Sequence, residues 1–371
     1  VPDTELISGG GGPIAHQVEA LRMSAAAAAE EARAANVVGA VMKMPLMLIQ
    51  GLGPAEAGPP GDDWALRQIG ADTSPWSGEG VTVAVLDTGI DATHEAFEGI
   101  DITQQNFTTD AAEDTDGHGT HCAGTIFGRN VGERRIGVAR GVTKALIGKI
   151  IGLNSPADTD VVARALNWAM MNRADVISMS IGMDFPGFRD QLIAKYKLDG
   201  RAATSLALDA YRANMMLFDE LSRGALGAPG LTSGSVVVCA AGNESDSPRY
   251  TISSSPPGNA AEFVSVAALA RPIEGKPRLA PFSNVRAKLA APGVGIVSAR
   301  RGGGLKNLDG TSMATPYVAG IACLWLEKLR KQGRISDSRN VIEQLRRSAV
   351  SLMPHVREEH VLWGQAYAPQ D

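Results

Sequence analysis

The sequence predicts an α/β fold with a mostly parallel central sheet covered by helices on both faces. Two observations carry this. Short strand-like apolar runs alternate with helical ones along most of the chain, the pattern of a sheet wound with helices on either side. The composition, 44% hydrophobic and 20% charged over 371 residues, is that of a compact globular chain long enough to bury a large core. No internal repeat is visible, so one large domain with an appendage is the simplest organisation.

Residues 1–50 form the appendage. Gly9 to Gly12 read as a flexible tether, the Ala-rich run from His16 to Asn36 as a helix, and Val37 to Ile49 as one or two strands. So short a helix and strand piece cannot bury a core of its own and is expected to dock on the larger domain. Residues 51–62 turn to Gly, Pro, Ala and acid, a linker composition. The main domain, residues 63–350, opens at Trp64. Its strand-like and helical runs are Val81 to Leu86, the stretch after Gly119, Ala145 to Ile151, Asp160 to Asn172, Val176 to Ser180, Val236 to Ala240 and a long helix from Ser312 to Lys331. Residues 183–234 are too long for a plain βα connection and read as an insertion. Leu206, Ala210, Ala213, Leu217 and Leu221 give it an apolar helical stripe, with Tyr211, Met215 and Phe218 beside it. Residues 351–371 read as a C-terminal tail.

A net charge of −5 without any block of Lys or Arg argues against a nucleic-acid partner. No run of eighteen apolar residues exists to span a membrane. Cys122, Cys239 and Cys323 are too few for a disulfide framework and sit in apolar segments, as buried thiols do. With no signal-like segment at the start, a cytoplasmic setting is favoured and secretion is the alternative.

Four segments carry chemistry. Val81 to Leu86 is followed at its C-terminal end by Asp87-Thr88-Gly89, where open α/β sheets bind ligands; taken alone, Asp87 reads equally well as a turn residue. In Asp116-Gly117-His118-Gly119-Thr120-His121-Cys122 the flanking glycines suit an imidazole at a helix start, closely approached by other backbone. A zinc site is disfavoured, because no third ligand follows His118 and His121 at metal spacing; His121 reads as structural. Ser312 stands where a long apolar helix begins, so unpaired N–H groups and the positive end of the helix dipole lie beside it. Val236 to Ala240 leads into Ala241-Gly242-Asn243, small residues that leave room for a side chain, then an amide able to donate to an oxyanion. A hydroxyl nucleophile needs a base, the base an orienting group, and the tetrahedral intermediate donors; the four segments supply all of them.

These residues resemble the subtilases, the subtilisin and proteinase K superfamily of serine peptidases. Val-Leu-Asp-Thr-Gly-Ile-Asp, His-Gly-Thr-His-Cys-Ala-Gly-Thr, Gly-Thr-Ser-Met-Ala-Thr-Pro and Ala-Ala-Gly-Asn all match, and the order Asp87, His118, Ser312 is that of subtilisin. The resemblance runs from about Asp63 to Val350. It implies a three-layer subtilisin-like fold with a small N-terminal prosegment-like α/β piece. It also implies a serine endopeptidase acting through an acyl-enzyme, with Ser312 as nucleophile, His118 as base, Asp87 as orienter and Asn243 as oxyanion donor. Ser180, Ile181 and Gly182 would pair with a peptide or protein substrate as an added strand, and with Ala240, Ala241 and Gly242 would wall the pocket before the scissile bond. Phe282-Ser283-Asn284 and Ala291-Pro292-Gly293 match structural landmarks.

The chemistry requires no cofactor. A structural calcium is conceivable but unsupported, since the acidic residue that many subtilases use for it falls on Ala96; Glu113 to Asp116 read as a solvated acidic loop. The insertion borders the cleft and is expected to shape substrate access. Residues 1 to about 50 are expected to act as an intramolecular inhibitor, with a purely structural addition as the alternative. Transfer of the acyl group to an amine and a catalytically silent scaffold are rival functions; no triad member is missing, which disfavours the second.

Overall fold

A computed structural model describes residues 4–8, 19–23, 42–49, 52, 63–155, 157–228, 230 and 232–371. The elements in chain order begin with β1 (Thr4–Ser8), β2 (Glu19–Met23), β3 (Pro45–Leu48) and α1 (Trp64–Gln68). There follow β4 (Thr82–Asp87), a 3₁₀ turn (Glu95–Phe97), β5 (Asp101–Asn106), α2 (His118–Phe127), β6 (Lys144–Lys149), β7 (Ala157–Asp158) and α3 (Thr159–Met171). Next come β8 (Val176–Met179), β9 (Ile181–Met183), α4 (Phe185–Tyr196), α5 (Gly200–Ala225), β10 (Val236–Ala240), β11 (Val264–Ile273) and β12 (Lys276–Leu279). The chain closes with β13 (Ala287–Pro292), β14 (Ile296–Ala299), β15 (Leu305–Leu308), α6 (Thr311–Lys331), α7 (Ser338–Arg347) and β16 (Val361–Gln365).

Among the described residues, nine strands form the main sheet in the order β16-β13-β11-β10-β8-β4-β6-β5, with β12 hairpinned onto β11. Every neighbouring pair along that path is parallel; only β11 and β12 are antiparallel. The alternation of strand side chains builds two cores. From β4, Val83 and Val85 enter the core beneath α2 and α6, while Ala84 and Leu86 enter the opposite one with α3 and α5. The sheet is thus buried on both faces, as uninterrupted apolar strands require. No helix among the described residues is long and apolar enough to cross a membrane.

Three expectations change. Glu19–Met23, the start of the run read as a helix, is extended and pairs antiparallel with Thr4–Ser8, Leu6 facing Leu21 and Glu5 facing Arg22. Helix propensity is a weak local preference that a partner strand overrides. Most of that run, the Gly9 to Gly12 tether and all of the 51–62 linker but Leu52 lie outside the described residues. Residues 351–371 are not a separate tail: β16 adds to the sheet beside β13, and Ala366 and Ala368 are buried in the core shared with α1. In the insertion the stripe is rotated. Ala203, Ala207, Ala210, Asn214, Leu217, Phe218, Leu221, Ser222 and Ala225 are the buried residues of α5, whereas Leu206, Met215 and Tyr211 are only half-buried.

Candidate active site

Asp87 ends β4, at the carboxyl edge of the sheet, and is buried. His118 opens α2, and its Nδ1 hydrogen-bonds Asp87 Oδ1 at 2.8 Å. In the neutral ring that bond keeps the proton on Nδ1 and leaves Nε2 as the acceptor end. Nε2 is buried with no partner among the described residues. The approach needs glycine. A Cβ on Gly119 would lie 2.2 Å from Gly89 O and 3.2 Å from Asp87 Cβ, and Gly117, which caps the helix, has φ of 95°.

The two segments are held by a residue that the sequence reading placed in solvent. Asp114 is buried. Its carboxylate accepts from Thr88 Oγ1 at 2.8 Å, Gly117 N at 2.8 Å, Thr120 N at 2.9 Å, Thr120 Oγ1 at 2.6 Å and Asp116 N at 3.2 Å. Burial works against its charge, but the bonds from Thr120, Gly117 and Thr88 outweigh this and hold its pKa below the ordinary 3.8. Thr88 Oγ1 in turn accepts from Gly119 N at 2.9 Å. One anion therefore joins the residue after Asp87 to the residues flanking His118. Glu113 and Asp116 of the acidic run are exposed, as a solvated loop would have them, but Asp114 between them is an internal brace, because its neighbours supply donors enough to replace water.

Ser312 lies in the first turn of α6, where backbone N–H groups have no intrahelical partner. Cys122 links it to the imidazole: the thiol donates to Ser312 O at 3.5 Å and lies 3.7 Å from His118 Nδ1. Asn243 follows β10. Its Oδ1 accepts from Thr311 N and Thr311 Oγ1, both at 2.9 Å, which fixes the amide with Nδ2 as its donor end. Thr311 Oγ1 also accepts from Gly242 N at 3.1 Å, so the residue before Ser312 clamps the Asn243 turn to the start of α6. Asn284 braces the turn from behind, accepting from Glu244 N at 3.2 Å and donating to Ala241 O at 3.1 Å and to the Glu244 carboxylate at 2.5 Å. Thr311 and Asn284 each lay inside a recognised motif, but hydroxyl and amide bonding of this kind is invisible until the segments meet.

His121 is structural, as its sequence reading has it. Burial and the nearby His118 push its pKa down to about 3, and Nε2 is committed to the carbonyls of Ile296 and Lys306, each at 3.1 Å. Among the described residues, Asp87, His118 and Cys122 could share a metal ion, with ligand atoms within 4.8 Å of one another. They do not fit a resident ion, since Nδ1 is occupied by Asp87 and burial raises the Cys122 thiol pKa, keeping it protonated. At Ala96, the N–H donates to His94 Nδ1 at 3.0 Å, and the residue offers no carboxylate to an ion.

The cleft is occupied by the chain itself. β3 lies between β7 and β9, antiparallel to both, with Leu46 facing Met183, Met47 facing Gly182 and Leu48 facing Ile181. Ile49 N donates to Ser180 O at 3.1 Å, and the Ser312 hydroxyl donates to Ile49 O. A Cβ on Gly182 would lie 3.4 Å from Ile49 Cδ1 and 2.9 Å from Ser255 Oγ. Ser255 N reaches Ala241 O at 3.4 Å, bringing the end of Ala240-Ala241-Gly242 to the same wall. Beyond Ser312, Leu52 and Asp309 exchange N–H···O bonds at 2.7 and 3.2 Å, so the chain is bound on both sides of the serine.

The comparisons agree with this architecture. The family model described as the subtilase family matches residues 78–359. The chain belongs to the subtilase family. This subtilase is 32% identical over 259 residues to subtilisin-like protease 6 of Trichophyton verrucosum, a match covering 70% of this chain and 54% of that protein. It thus spans about half the length of that relative. It is 30% identical to the major intracellular serine protease of Bacillus subtilis, over 73% of this chain and 76% of that one. The solved structure of fervidolysin from Fervidobacterium pennivorans, a keratinolytic enzyme related to subtilisin, aligns with a TM-score of 0.68 over 98% of this chain and 57% of that chain. At 22% identity it speaks to fold alone.

The buried Asp87–His118 pair sets a pH signature. Burial disfavours the charged ring most strongly of any single influence, but the Asp87 carboxylate and the adjacent Cys122 together outweigh it and hold the His118 pKa well above 6.5. A raised folded-state pKa means that the protonated ring stabilises the fold fully below its unfolded pKa, near 6.5, and that this contribution fades as pH rises through the folded value. In an NMR titration His118 should therefore change charge above pH 6.5, and Asp87→Asn, which removes the main charge opposing burial, should lower that midpoint. A ring titrating below 6.5 in the unsubstituted protein contradicts this.

Proposed function

We propose that this subtilase is a serine endopeptidase and that its cleft is closed by its own N-terminal segment. The observation that carries the reading is the seating of Ile49: its N–H on Ser180 O, its carbonyl on the Ser312 hydroxyl, and the preceding residues paired as a strand with Ile181–Met183. This is how a peptide substrate binds by strand addition, with its reacting carbonyl at a nucleophile.

In catalysis Ser312 Oγ attacks the carbonyl carbon while His118 Nε2 takes the hydroxyl proton, and the carbonyl electrons move onto oxygen. The Ser312 backbone N–H and Asn243 Nδ2 donate to that oxyanion. Asp87 keeps the imidazole in the tautomer that leaves Nε2 basic and stabilises the cation that forms. The intermediate collapses as the C–N bond breaks, and His118 gives its proton to the departing amine. Water, deprotonated by the same nitrogen, then releases the acid and restores Ser312. No cofactor is called on. The walls formed by Ser180, Ile181, Gly182, Ala240, Ala241 and Gly242 suit an apolar side chain such as that of Ile49, and the exposed Glu244 is tied to Asn284 rather than offered to a basic group. The three cysteines are free and buried, which suits a reducing compartment.

Two substitutions test the two halves of the reading. Asn243→Ala should lower kcat about 10²–10³-fold on a peptide substrate, the size of effect such a donor has in subtilisin; a near wild-type kcat rejects the oxyanion role. Leu46→Asp places a carboxylate in a buried position of the segment and should raise kcat/KM for a short peptide amide by roughly tenfold or more, since the segment then competes poorly for the cleft. An unchanged rate means the segment does not inhibit.

A further inference from the structure

The N-terminal segment is gripped well before it reaches the cleft, by residues that no part of the chemistry uses. Asn214 sits in the middle of α5, on its buried stripe, and is fully buried. A buried amide costs several hydrogen bonds' worth of lost hydration unless every polar atom finds a partner, and packing of α5 against α3 would be served by alanine or leucine. Asn214 is satisfied from three directions. Nδ2 donates to Ala210 O in its own helix at 2.8 Å and to Met42 O at 2.9 Å; Oδ1 accepts from Thr159 Oγ1 at 2.5 Å. Thr159 is the first residue of α3 and also fully buried. Its N–H donates to Met44 O at 3.2 Å, and its hydroxyl oxygen accepts from Met44 N at 3.2 Å. Between these anchors Lys43 places its ammonium 3.5 Å from both Asp158 and Asp160. Met42 stands seven positions before Ile49, outside the strand pairing that begins at Pro45.

We infer that the insertion and the start of α3 form a remote peptide-binding subsite. It recognises the main chain at the positions of Met42 and Met44 through Asn214 and Thr159, and a cationic side chain at the position of Lys43 through Asp158 and Asp160. Its ligand is an extended peptide with a lysine or arginine six residues before the reacting carbonyl; in the resting protein that ligand is residues 42–44 of the chain itself. Two features assign the site to a ligand rather than to the fold. One of the two donors of Asn214 is spent on a carbonyl 172 residues away, and the threonine that completes the amide also bonds Met44. Displacement of the segment strips both of partners, so the site is complete only when a peptide fills it. The inference rests on the self-inhibition proposed above and adds that the grip of the segment is set largely outside the cleft.

The test uses the full chain and a peptide amide too short to extend past the strand pairing. Asn214→Ala should raise kcat/KM on the order of tenfold, the effect of one lost buried hydrogen bond on the occupancy of the segment. Lys43→Glu, which alters the segment and leaves the peptidase untouched, should raise it a few-fold through the two partly buried ion pairs. Combined with Leu46→Asp, Asn214→Ala should add little, because the segment is already displaced; this separates an effect through the segment from general damage to the enzyme. If Leu46→Asp raises the rate while both Asn214→Ala and Lys43→Glu leave it unchanged, the remote subsite is refuted and self-inhibition stands. If none of the three raises it, self-inhibition itself fails. Should Asn214→Ala not fold, Lys43→Glu decides.

Discussion

The hydrogen bond between Asp87 and His118 decides which nitrogen of the imidazole is basic, and most of the surrounding structure serves to keep that bond in a dry interior. A carboxylate and an imidazole cannot be buried together without partners for their other polar atoms and a frame that stops them drifting apart. The frame is the Asp114 carboxylate, whose donors come from Thr88 on one side and from Gly117 and Thr120 on the other. Gly119 allows the close approach that this frame imposes, and Cys122, one turn on, carries the arrangement across to Ser312. The pair is positioned by the side chains of this frame.

The same economy applies to the cleft. Its walls on β9 and β7 offer main-chain groups, and these pair with β3 as with an added strand. Strand edges of this kind are open to any nearby strand, including one of the same chain, and here the occupant is covalently attached. Attachment raises the effective concentration of a segment, so even modest contacts outside the cleft add to its hold. Asn214 and Thr159 supply contacts of that kind.

Much of this was legible beforehand and some was not, for identifiable reasons. The Asp87, His118, Ser312 and Asn243 segments could be read because each combines a chemical side chain with small flanking residues and a strand end or helix start. Asp114 could not. Four polar residues in a row read as a hydrated loop, and only the fold shows that Thr88 and Thr120 turn their hydroxyls inward to meet the carboxylate. Asn214 was missed because a helical stripe is found by counting apolar residues, and a buried amide breaks the count. The extended Glu19–Met23 was lost to the alanine-rich run behind it, and β16 because five residues are too few to show a pattern and give no sign that a parallel neighbour, β13, awaits them.

A serine activated by His118 and shielded by the chain's own segment should react selectively, and faster once the segment is displaced. The most direct measurement is covalent labelling of the full chain with a fluorophosphonate, its site read by mass spectrometry and its rate compared with that of the Leu46→Asp protein. The account predicts one label, on Ser312, forming faster when the segment is dislodged. No label on either protein, or a label elsewhere with Ser312 unmodified, would contradict it.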